Sequence, residues 1–202
     1  VNRYCASGLE TIAIATAKIR TGMAECIIAG GTESMSLVPT AGWKTVPAYS
    51  IAKDEPDYYL SMGLTAEAVA KDYNVSRADQ DEFAFNSHRK AKAAIENGYF
   101  KSGILPINVE EVYLDAKGKK QKRNYTVDTD EGVRADTTIE ALSKLKSAFA
   151  VNGTVTAGNA SQTSDGSAFV LVMSERLINQ LGLKPIARLV NCASAGVSPR
   201  LM

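Results

Sequence analysis

Cys5 is the residue whose surroundings best suit nucleophilic chemistry. The residues after it carry an apolar stripe at three- and four-residue spacing, formed by Leu9, Ile12, Ala13, Thr16 and Ile19. This spacing predicts a mostly buried helix over residues 6–20, with Gly22 as its stop. Cys5 would then lie where an extended segment enters the N-terminus of a helix. Unpaired N–H groups and the positive end of the helix dipole stabilise a thiolate there, and Gly8 leaves room for an acyl group.

A structural role for Cys5 is also open. Cysteines near a helix start commonly pack as small buried apolar residues, and spacing alone does not separate the two roles. The three cysteines, Cys5, Cys26 and Cys192, are an odd number without Cys-x-x-Cys spacing. This pattern argues against a disulfide framework and a zinc site, and for a reducing compartment. We therefore expect the cytoplasm or an organelle matrix, and no metal.

Composition excludes several classes of function. The 202 residues have a net charge of +1, 45% apolar and 22% charged residues, as in an ordinary globular protein of one domain or one and a half. No bulk charge favours nucleic acid, and no apolar run approaches the length of a membrane span. The chain lacks an initial Met and begins directly on a motif, so we expect a piece of a longer protein.

Both ends of the chain read as α/β core. An apolar strand over residues 25–29 follows the first helix and ends at Gly30 and Gly31, which could shape a site or a plain turn. Near the other end, strands are predicted at 167–173 and 187–193, with a helix between them that stops at Gly182. The helix–strand order suggests a parallel sheet.

The middle of the chain has a different pattern. Residues 37–60 read as an irregular excursion that enters an inserted subdomain. Helices follow at 65–73 and 76–97, the second with a Ser76/Asp79 capping box and a buried face that includes Phe83. A hairpin with a basic tip is predicted over 104–128, then a short helix from Thr137 to Leu145. His88, the only histidine, has polar neighbours typical of a surface or boundary position.

Three motifs resemble those of the thiolases in order and spacing over essentially the whole chain. Residues 2–9 read Asn-Arg-Tyr-Cys-Ala-Ser-Gly-Leu and resemble the nucleophile motif of that family. Residues 29–36, Ala-Gly-Gly-Thr-Glu-Ser-Met-Ser, resemble the next landmark. Residues 154–161, Thr-Val-Thr-Ala-Gly-Asn-Ala-Ser, with Ser-Asp-Gly at 164–166, resemble a third.

The resemblance implies a thiolase-like α/β fold, part of an αβαβα layered sandwich with an inserted loop domain. Residues 1–36 and 152–202 would belong to the N-terminal core half, and residues 37–151 would form the loop domain that binds coenzyme A (CoA). The composition changes at these same borders.

The resemblance also implies an acyltransferase of the kind used in fatty acid β-oxidation. Cys5 would form an acyl-enzyme thioester while 3-ketoacyl-CoA is cleaved with CoA, and the Cys5 backbone N–H is a candidate oxyanion donor. The family uses a His in a Gly-His-Pro motif and a second Cys in a Cys-x-Gly motif, neither of which occurs here. We therefore predict that this chain alone is inactive.

CoA is implied as a substrate, with no permanently bound cofactor. By resemblance the Ser161 hydroxyl would bond the pantetheine amides beside Ala157, with Met62 and Phe149 lining the pantetheine tunnel. Arg134 would lie near the adenine or phosphate end. Ordinary core packing for Met62 and Phe149, and an acidic partner for Arg134, remain open.

The resemblance also bears on the subtype of thiolase and on its partners. Ser61 stands where many biosynthetic acetoacetyl-CoA thiolases have His, which favours the degradative 3-ketoacyl-CoA group.

The full-length family members are homodimers or homotetramers. Other readings are a biosynthetic thiolase, a β-ketoacyl synthase and a non-catalytic relative. A helix-turn-helix over 64–85 is disfavoured, because residues 79–82 place acidic groups where DNA phosphates would lie.

Overall fold

The computed structural model describes residues 1–40 and 42–201 and divides the chain into two units. The first unit comprises Val1–Tyr49 and Thr163–Val197, and the second comprises Ser50–Gln162 and the segment from Ser198. The chain therefore leaves the first unit later, and returns to it later, than the predicted borders at 36 and 152. The roles predicted for these segments, core half and CoA-binding loop domain, stay predictions.

The first unit is a helix packed on a two-stranded antiparallel sheet. A 3₁₀ turn (Tyr4–Ala6) leads into α1 (Ser7–Arg20), followed by β1 (Cys26–Ser34). After the second unit come β4 (Asp165–Met173) and α6 (Glu175–Leu181). β4 pairs with β1 in a register that runs from Cys26 opposite Met173 to Ser34 opposite Asp165.

The end of α1 matches the sequence prediction. Gly22 has φ +75°, and its N–H donates to the Ile19 carbonyl at 3.0 Å, while the N–H of Met23 donates to Lys18 at 3.0 Å. This is the paired hydrogen bonding of a Schellman motif. The predicted burial of the helix is wrong, however, because only Ala15 is buried in it and Leu9 is 55% exposed.

The predicted parallel sheet is also wrong, since β1 and β4 run antiparallel. A helix followed by a strand requires only that the two pack together. Strand direction depends on the partner, which here returns after more than a hundred residues. The strand predicted at 187–193 is irregular, because no described strand forms a ladder with it; its Leu189 carbonyl accepts instead from Arg20.

β1 does not stop at its glycine pair. Gly30 and Gly31 lie inside the strand, opposite Phe169 and Ala168. A Cβ on Gly30 would lie 2.2 Å from the Ala168 carbonyl oxygen and 2.7 Å from Phe169 Cα, whereas one on Gly31 would meet nothing within 4 Å. Gly30 therefore permits the close approach of β4.

The second unit contains helices and a hairpin. Its elements are α2 (Tyr49–Asp54), which begins at the border between the units, a 3₁₀ turn (Pro56–Tyr59), α3 (Met62–Asp72), α4 (Arg77–Glu96), the hairpin strands β2 (Ile107–Leu114) and β3 (Lys120–Val127), and α5 (Ile139–Ser143). The segment predicted as irregular, 37–60, thus contains helical turns; residue 41 within it lies outside the described residues.

The start and end signals predicted for α4 are confirmed, whereas the cap of α5 is displaced by a residue and one predicted core residue is exposed. The Ser76/Asp79 capping box starts α4, and Gly98 follows its end with φ +71°. The short helix is capped by Thr138, one residue after the predicted Thr137. Phe83 is 79% exposed rather than buried, and the residue that α4 buries is Asp81.

Replacing Gly30 by Ala should destabilise the protein by about 1–3 kcal/mol, because the new methyl group meets backbone atoms that cannot move aside. Gly31→Ala is the matched control, one position along the same strand in open space, and should change stability by less than about 0.5 kcal/mol. Urea unfolding of both variants measures the difference. Equal midpoints for the two variants would refute the close approach of β4 at Gly30.

Candidate functional site

Cys5 lies on a strained turn that leads directly into α1. Tyr4, immediately before it, is a non-glycine residue with φ +48°. Such a left-handed conformation costs of order 1–3 kcal/mol and persists only where the surroundings enforce it. The Cys5 side chain is exposed, and a Cβ on Gly8 would meet nothing within 4 Å. The turn therefore presents the thiol in open space at the start of a helix.

Hydrogen bonds on both sides of Cys5 hold this turn. The Tyr4 N–H donates to Asn2 Oδ1 at 2.9 Å, and the Arg3 N–H donates to Ser7 Oγ at 2.8 Å. Ser7 Oγ in turn donates to the Tyr4 carbonyl at 2.8 Å, and the Ala6 N–H donates to the Arg3 carbonyl at 3.0 Å. None of these bonds uses the N–H of Cys5.

Arg3 fastens the turn to its surroundings. Its guanidinium donates to Glu10 at 2.8 Å and to Ser194 Oγ at 2.9 Å. Glu10 lies in the first turn of α1. The segment before the helix is therefore tied both to the helix and to the chain near its other end.

The second and third motifs meet at Asp165. Its carboxylate accepts hydrogen bonds from the Ser36 N–H at 2.9 Å, from the Ser34 hydroxyl at 3.3 Å and from the Ser36 hydroxyl. The bonds from the Ser36 side chain and backbone lower the pKa of Asp165 below its ordinary 3.8. This cluster joins the end of β1 to the start of β4, which is a structural role that motif spacing did not reveal.

Ala157 and Ser161 are exposed on one loop of the second unit, over residues 154–161, which we call the 154–161 loop. Among residues 1–40 and 42–201, the Ser161 hydroxyl has only a long contact of 3.4 Å, to the Gln162 carbonyl. Its hydrogen-bonding capacity is therefore largely free for a ligand.

A carboxylate of α3 holds the start of the 154–161 loop. Both oxygens of Glu67 lie 2.9 Å from the Thr154 N–H, one accepts from the Val155 N–H at 2.8 Å and the other from Thr154 Oγ1 at 3.0 Å. Burial acts to raise the pKa of Glu67, but the hydrogen bonds from Thr154 and Val155 outweigh it, and the pKa is lowered from its ordinary 4.5.

A second carboxylate, from α4, holds the middle of the same loop. Asp81 is 2% exposed, and its Oδ1 accepts from Asn159 Nδ2 at 2.9 Å. Its Oδ2 accepts from Arg77 Nε at 2.8 Å. Neither Glu67 nor Asp81 was predicted from the sequence. The i,i+4 spacing of Arg77 and Asp81 was visible, but acidic residues on a helix usually face solvent.

The remaining predicted residues lie in two further places of the second unit. Phe149 packs its ring on Gly63, where a Cβ would lie 2.2 Å from ring atoms, so it lies beside the start of α3 at Met62. Phe149 is 44% and Met62 60% exposed, so neither is ordinary core. Arg134 is exposed, and within the described residues its guanidinium forms no salt bridge.

Packing brings the Arg134 segment close to that of Ser161. A Cβ on Gly132 would lie 2.3 Å from Gln162 Nε2, so the residues two before Arg134 and one after Ser161 touch. The Arg134 N–H donates to Nδ1 of His88 at 3.1 Å, which gives the only histidine a structural contact at a half-buried position.

A cleft at the end of α4 contains none of the predicted residues. It has a volume of about 350 Å³ and is lined by Ile95, Phe100, Ile104, Asp130 and their neighbours. Across residues 1–40 and 42–201, no three Cys, His, Asp or Glu residues are grouped as a metal site requires. In the same part of the chain, no helix has the length and apolar character to cross a bilayer.

Comparisons with known proteins agree with these features. The model of the thiolase N-terminal domain matches residues 1–176. The 3-ketoacyl-CoA thiolase of Bacillus subtilis strain 168 is 48% identical over 202 residues, all of this chain and 52% of the relative. The acetyl-CoA acetyltransferase of Escherichia coli K12 is 40% identical, with the same coverage of each. The 1.8 Å crystal structure of the dimeric peroxisomal thiolase of Saccharomyces cerevisiae matches with TM-score 0.83 and 36% identity, over 100% of this chain and 49% of that one.

The chain therefore belongs to the thiolase family. The predicted thiolase-like α/β fold is confirmed by the solved relative. The chain spans about half the length of the relatives it matches.

Glu67→Gln should destabilise the protein by about 1–2 kcal/mol near neutral pH, because an amide nitrogen would replace one of the two accepting oxygens and face the Thr154 N–H, which both oxygens contact. Because the pKa of Glu67 is lowered in the folded protein, its stabilisation is complete above about pH 4.5 and is lost as the pH falls through the folded pKa. Urea unfolding between pH 7 and pH 3 should show the gap between wild type and variant closing on the acid side. Glu82→Gln, at an exposed site on α4, is the control. A gap that widens at low pH would contradict this role.

Proposed function

We propose that the full-length protein is an acyltransferase of the thiolase type, which cleaves 3-ketoacyl-CoA with CoA into acetyl-CoA and a shortened acyl-CoA. The observation that supports this most is the exposed Cys5 thiol on a strained turn at the start of α1. Strain of this kind clusters at catalytic sites, where it presents a reacting group. Membership of the thiolase family supplies the reaction class.

In the proposed reaction, the Cys5 sulfur attacks the 3-keto carbonyl carbon of the substrate and forms a C–S bond. The C2–C3 bond then breaks, its electron pair passes to C2, and protonation there releases acetyl-CoA. The thiol of a second CoA loses its proton and attacks the carbonyl carbon of the Cys5 thioester. The carbon–sulfur bond to Cys5 then breaks, the Cys5 sulfur leaves as a thiolate and regains a proton, and the shortened acyl group departs on CoA. The Cys5 N–H, which the bonds around the turn leave unused, would donate to the carbonyl oxygen as negative charge develops.

Proton transfer requires groups that these 202 residues do not supply. The resemblance assigns it to a His in a Gly-His-Pro motif and a Cys in a Cys-x-Gly motif, and neither sequence occurs between Val1 and Met202. We therefore expect this chain by itself to bind ligand without turnover.

CoA binding belongs, in this proposal, to the second unit. The Ser161 hydroxyl bonds the pantetheine amides, with Ala157 beside it, and both are exposed. Met62 and Phe149 contribute partly exposed apolar surface to the pantetheine arm, and the guanidinium of Arg134 meets the adenine or phosphate end. CoA acts as a substrate, and no resident cofactor is needed.

One observation favours the degradative 3-ketoacyl-CoA subtype over the biosynthetic one. Identity does not separate them, since it is 44–48% to the 3-ketoacyl-CoA thiolases and 40–44% to the acetyl-CoA acetyltransferases. Ser61, where many biosynthetic relatives have His, is engaged as the N-cap of α3, with its Oγ accepting from the Leu64 N–H at 3.4 Å. We place the protein in fatty acid β-oxidation on this basis.

The relatives support our proposals for assembly and location. The yeast thiolase is described as dimeric, which supports a homodimer or homotetramer for the full-length protein. Relatives include bacterial and peroxisomal thiolases, which is consistent with the cytoplasm or an organelle matrix.

Cys5→Ser in the full-length protein should lower acyl transfer at least about a thousandfold while CoA binding is unchanged, because the hydroxyl is a far weaker nucleophile. Mass spectrometry after mixing with 3-ketoacyl-CoA should detect an acyl adduct on Cys5 of the wild type and none on the variant. Cys192→Ser, at another exposed cysteine of the same unit, is the control and should stay active. Full activity of Cys5→Ser would refute the nucleophile.

Ser161→Ala should raise the dissociation constant for CoA roughly three- to tenfold, through loss of one hydrogen bond to the pantetheine arm. Isothermal titration calorimetry of the full-length protein measures the change. Ser102→Ala, at an exposed site after α4, should leave affinity unchanged. Equal affinities for the two variants would remove Ser161 from the CoA site.

A further inference from the structure

We propose that Asp81 is a positioning residue for CoA, acting through Asn159 to hold the 154–161 loop in its binding conformation before the ligand arrives. The inference rests on the proposed function, since it assumes that Ser161 and Ala157 on this loop contact CoA. It adds a residue of α4, remote in sequence from the loop, to the groups that determine CoA affinity.

Asn159 converts the contact with Asp81 into a fixed backbone conformation. Its Nδ2 donates to Asp81 at 2.9 Å and to the Thr154 carbonyl at 3.2 Å, while its Oδ1 accepts from the Thr156 N–H at 2.7 Å. Thr156, which is fully buried, accepts from the Gly158 N–H at 3.2 Å through its Oγ1. The loop is therefore closed on itself between Thr154 and Asn159, and Ala157 and Ser161 stay exposed on it.

Arg77 connects Asp81 to residues that pack on the loop. Its Nε donates to Asp81, and its Nη2 donates to the carbonyl of Leu142 at 2.6 Å and to that of Leu145 at 3.1 Å. A Cβ on Gly158 would lie 2.6 Å from Leu142 Cδ2 and 2.4 Å from Leu145 Cδ1, so these two side chains pack on the loop. One ion pair thus fixes both the side chain that shapes the loop and the residues that pack on it.

A carboxylate at position 81 is required for this arrangement. Both of its oxygens accept hydrogen bonds, one from Asn159 and one from Arg77. An amide has one accepting oxygen and one donating nitrogen, so Asn at this site would oppose one of the two donors. In a side chain that is 2% exposed, water cannot replace the lost acceptor.

A loop that is ordered before the ligand arrives raises affinity. The free energy of binding is then not reduced by the conformational entropy that the loop would lose on ordering. Asp81 does not contact the ligand in this proposal. Its effect should therefore appear in the affinity for CoA and not in the reactivity of Cys5 toward a small reagent.

The test compares Asp81→Asn with Glu82→Gln in the full-length protein. Glu82 is the adjacent carboxylate, exposed, and without a hydrogen bond or ion pair in the described part of the chain. We expect D81N to raise the dissociation constant for CoA roughly tenfold, as for one unsatisfied buried group, and E82Q to leave it unchanged. The rate of Cys5 alkylation by iodoacetamide should be the same in both variants.

A reciprocal exchange separates positioning from a general loss of stability. Asn159→Asp places two carboxylates against each other and should weaken CoA binding at least as much as D81N. The double variant D81N/N159D again sets an amide opposite a carboxylate and should recover part of the affinity. Unchanged CoA affinity in a folded D81N, even with a lowered melting temperature, would overturn the inference.

Hydrogen exchange in the unaltered protein gives an independent readout if the variants do not fold. The Thr156 N–H should exchange slowly before CoA is added, because Asn159 already binds it. Exchange that is fast in the free protein and slows only with CoA would overturn the inference. Failure of the wild type to bind CoA would instead refute the proposed function, with the inference falling as its consequence.

Discussion

Buried polar groups that must be hydrogen-bonded impose the main constraint on the second unit. The largest fully buried side chains among the described residues are Thr65, Thr156 and Asp81, all of them polar. An unpaired polar group in such a place costs about 1–3 kcal/mol, so a fold that pairs Thr156 and Asp81 is strongly preferred over alternatives that leave them unpaired. Among the described residues, the Thr65 hydroxyl is the buried side-chain group left without a hydrogen-bond partner. Asp81 is satisfied by Arg77 from its own helix and by Asn159 from the 154–161 loop. The same bonds that pair the carboxylate therefore fix the loop.

In the first unit, hydrogen bonds of exposed side chains hold the backbone in place. It has one two-stranded ladder and one helix packed on it, and the turn that carries Cys5 contains a residue at φ +48°. The side-chain oxygens of Asn2 and Ser7, which accept from the backbone N–H groups of Tyr4 and Arg3, help to offset this strain. The guanidinium of Arg3 adds contacts with Glu10 and Ser194. At the far end of the strands, Asp165 joins Ser34 and Ser36. Each of the family motifs thus contains residues that hold backbone in place, alongside those that would perform chemistry.

The sequence was most informative where a signal is local. The capping box of α4, the glycine after α1 and the hairpin between β2 and β3 each depend on residues close in the chain, and each was predicted. It was least informative about burial and strand pairing. Leu9 on α1 and Phe83 on α4 have the apolar character of core residues but are exposed in this chain, because burial depends on which surfaces meet.

The sequence by itself determined the family, the thiolase-like α/β class and the placement of Cys5 at a helix start, because motifs, caps and helical spacing are encoded over a few residues. Only the tertiary structure decided that β4 runs antiparallel to β1 and that the missing side chain of Gly30 lets β4 pack closely. It also decided that Glu67 and Asp81 hold the 154–161 loop. The contact between Asp81 and Asn159 joins residues 78 positions apart. No local pattern encodes such a contact, since its energy arises only when two distant segments bury their polar groups against each other.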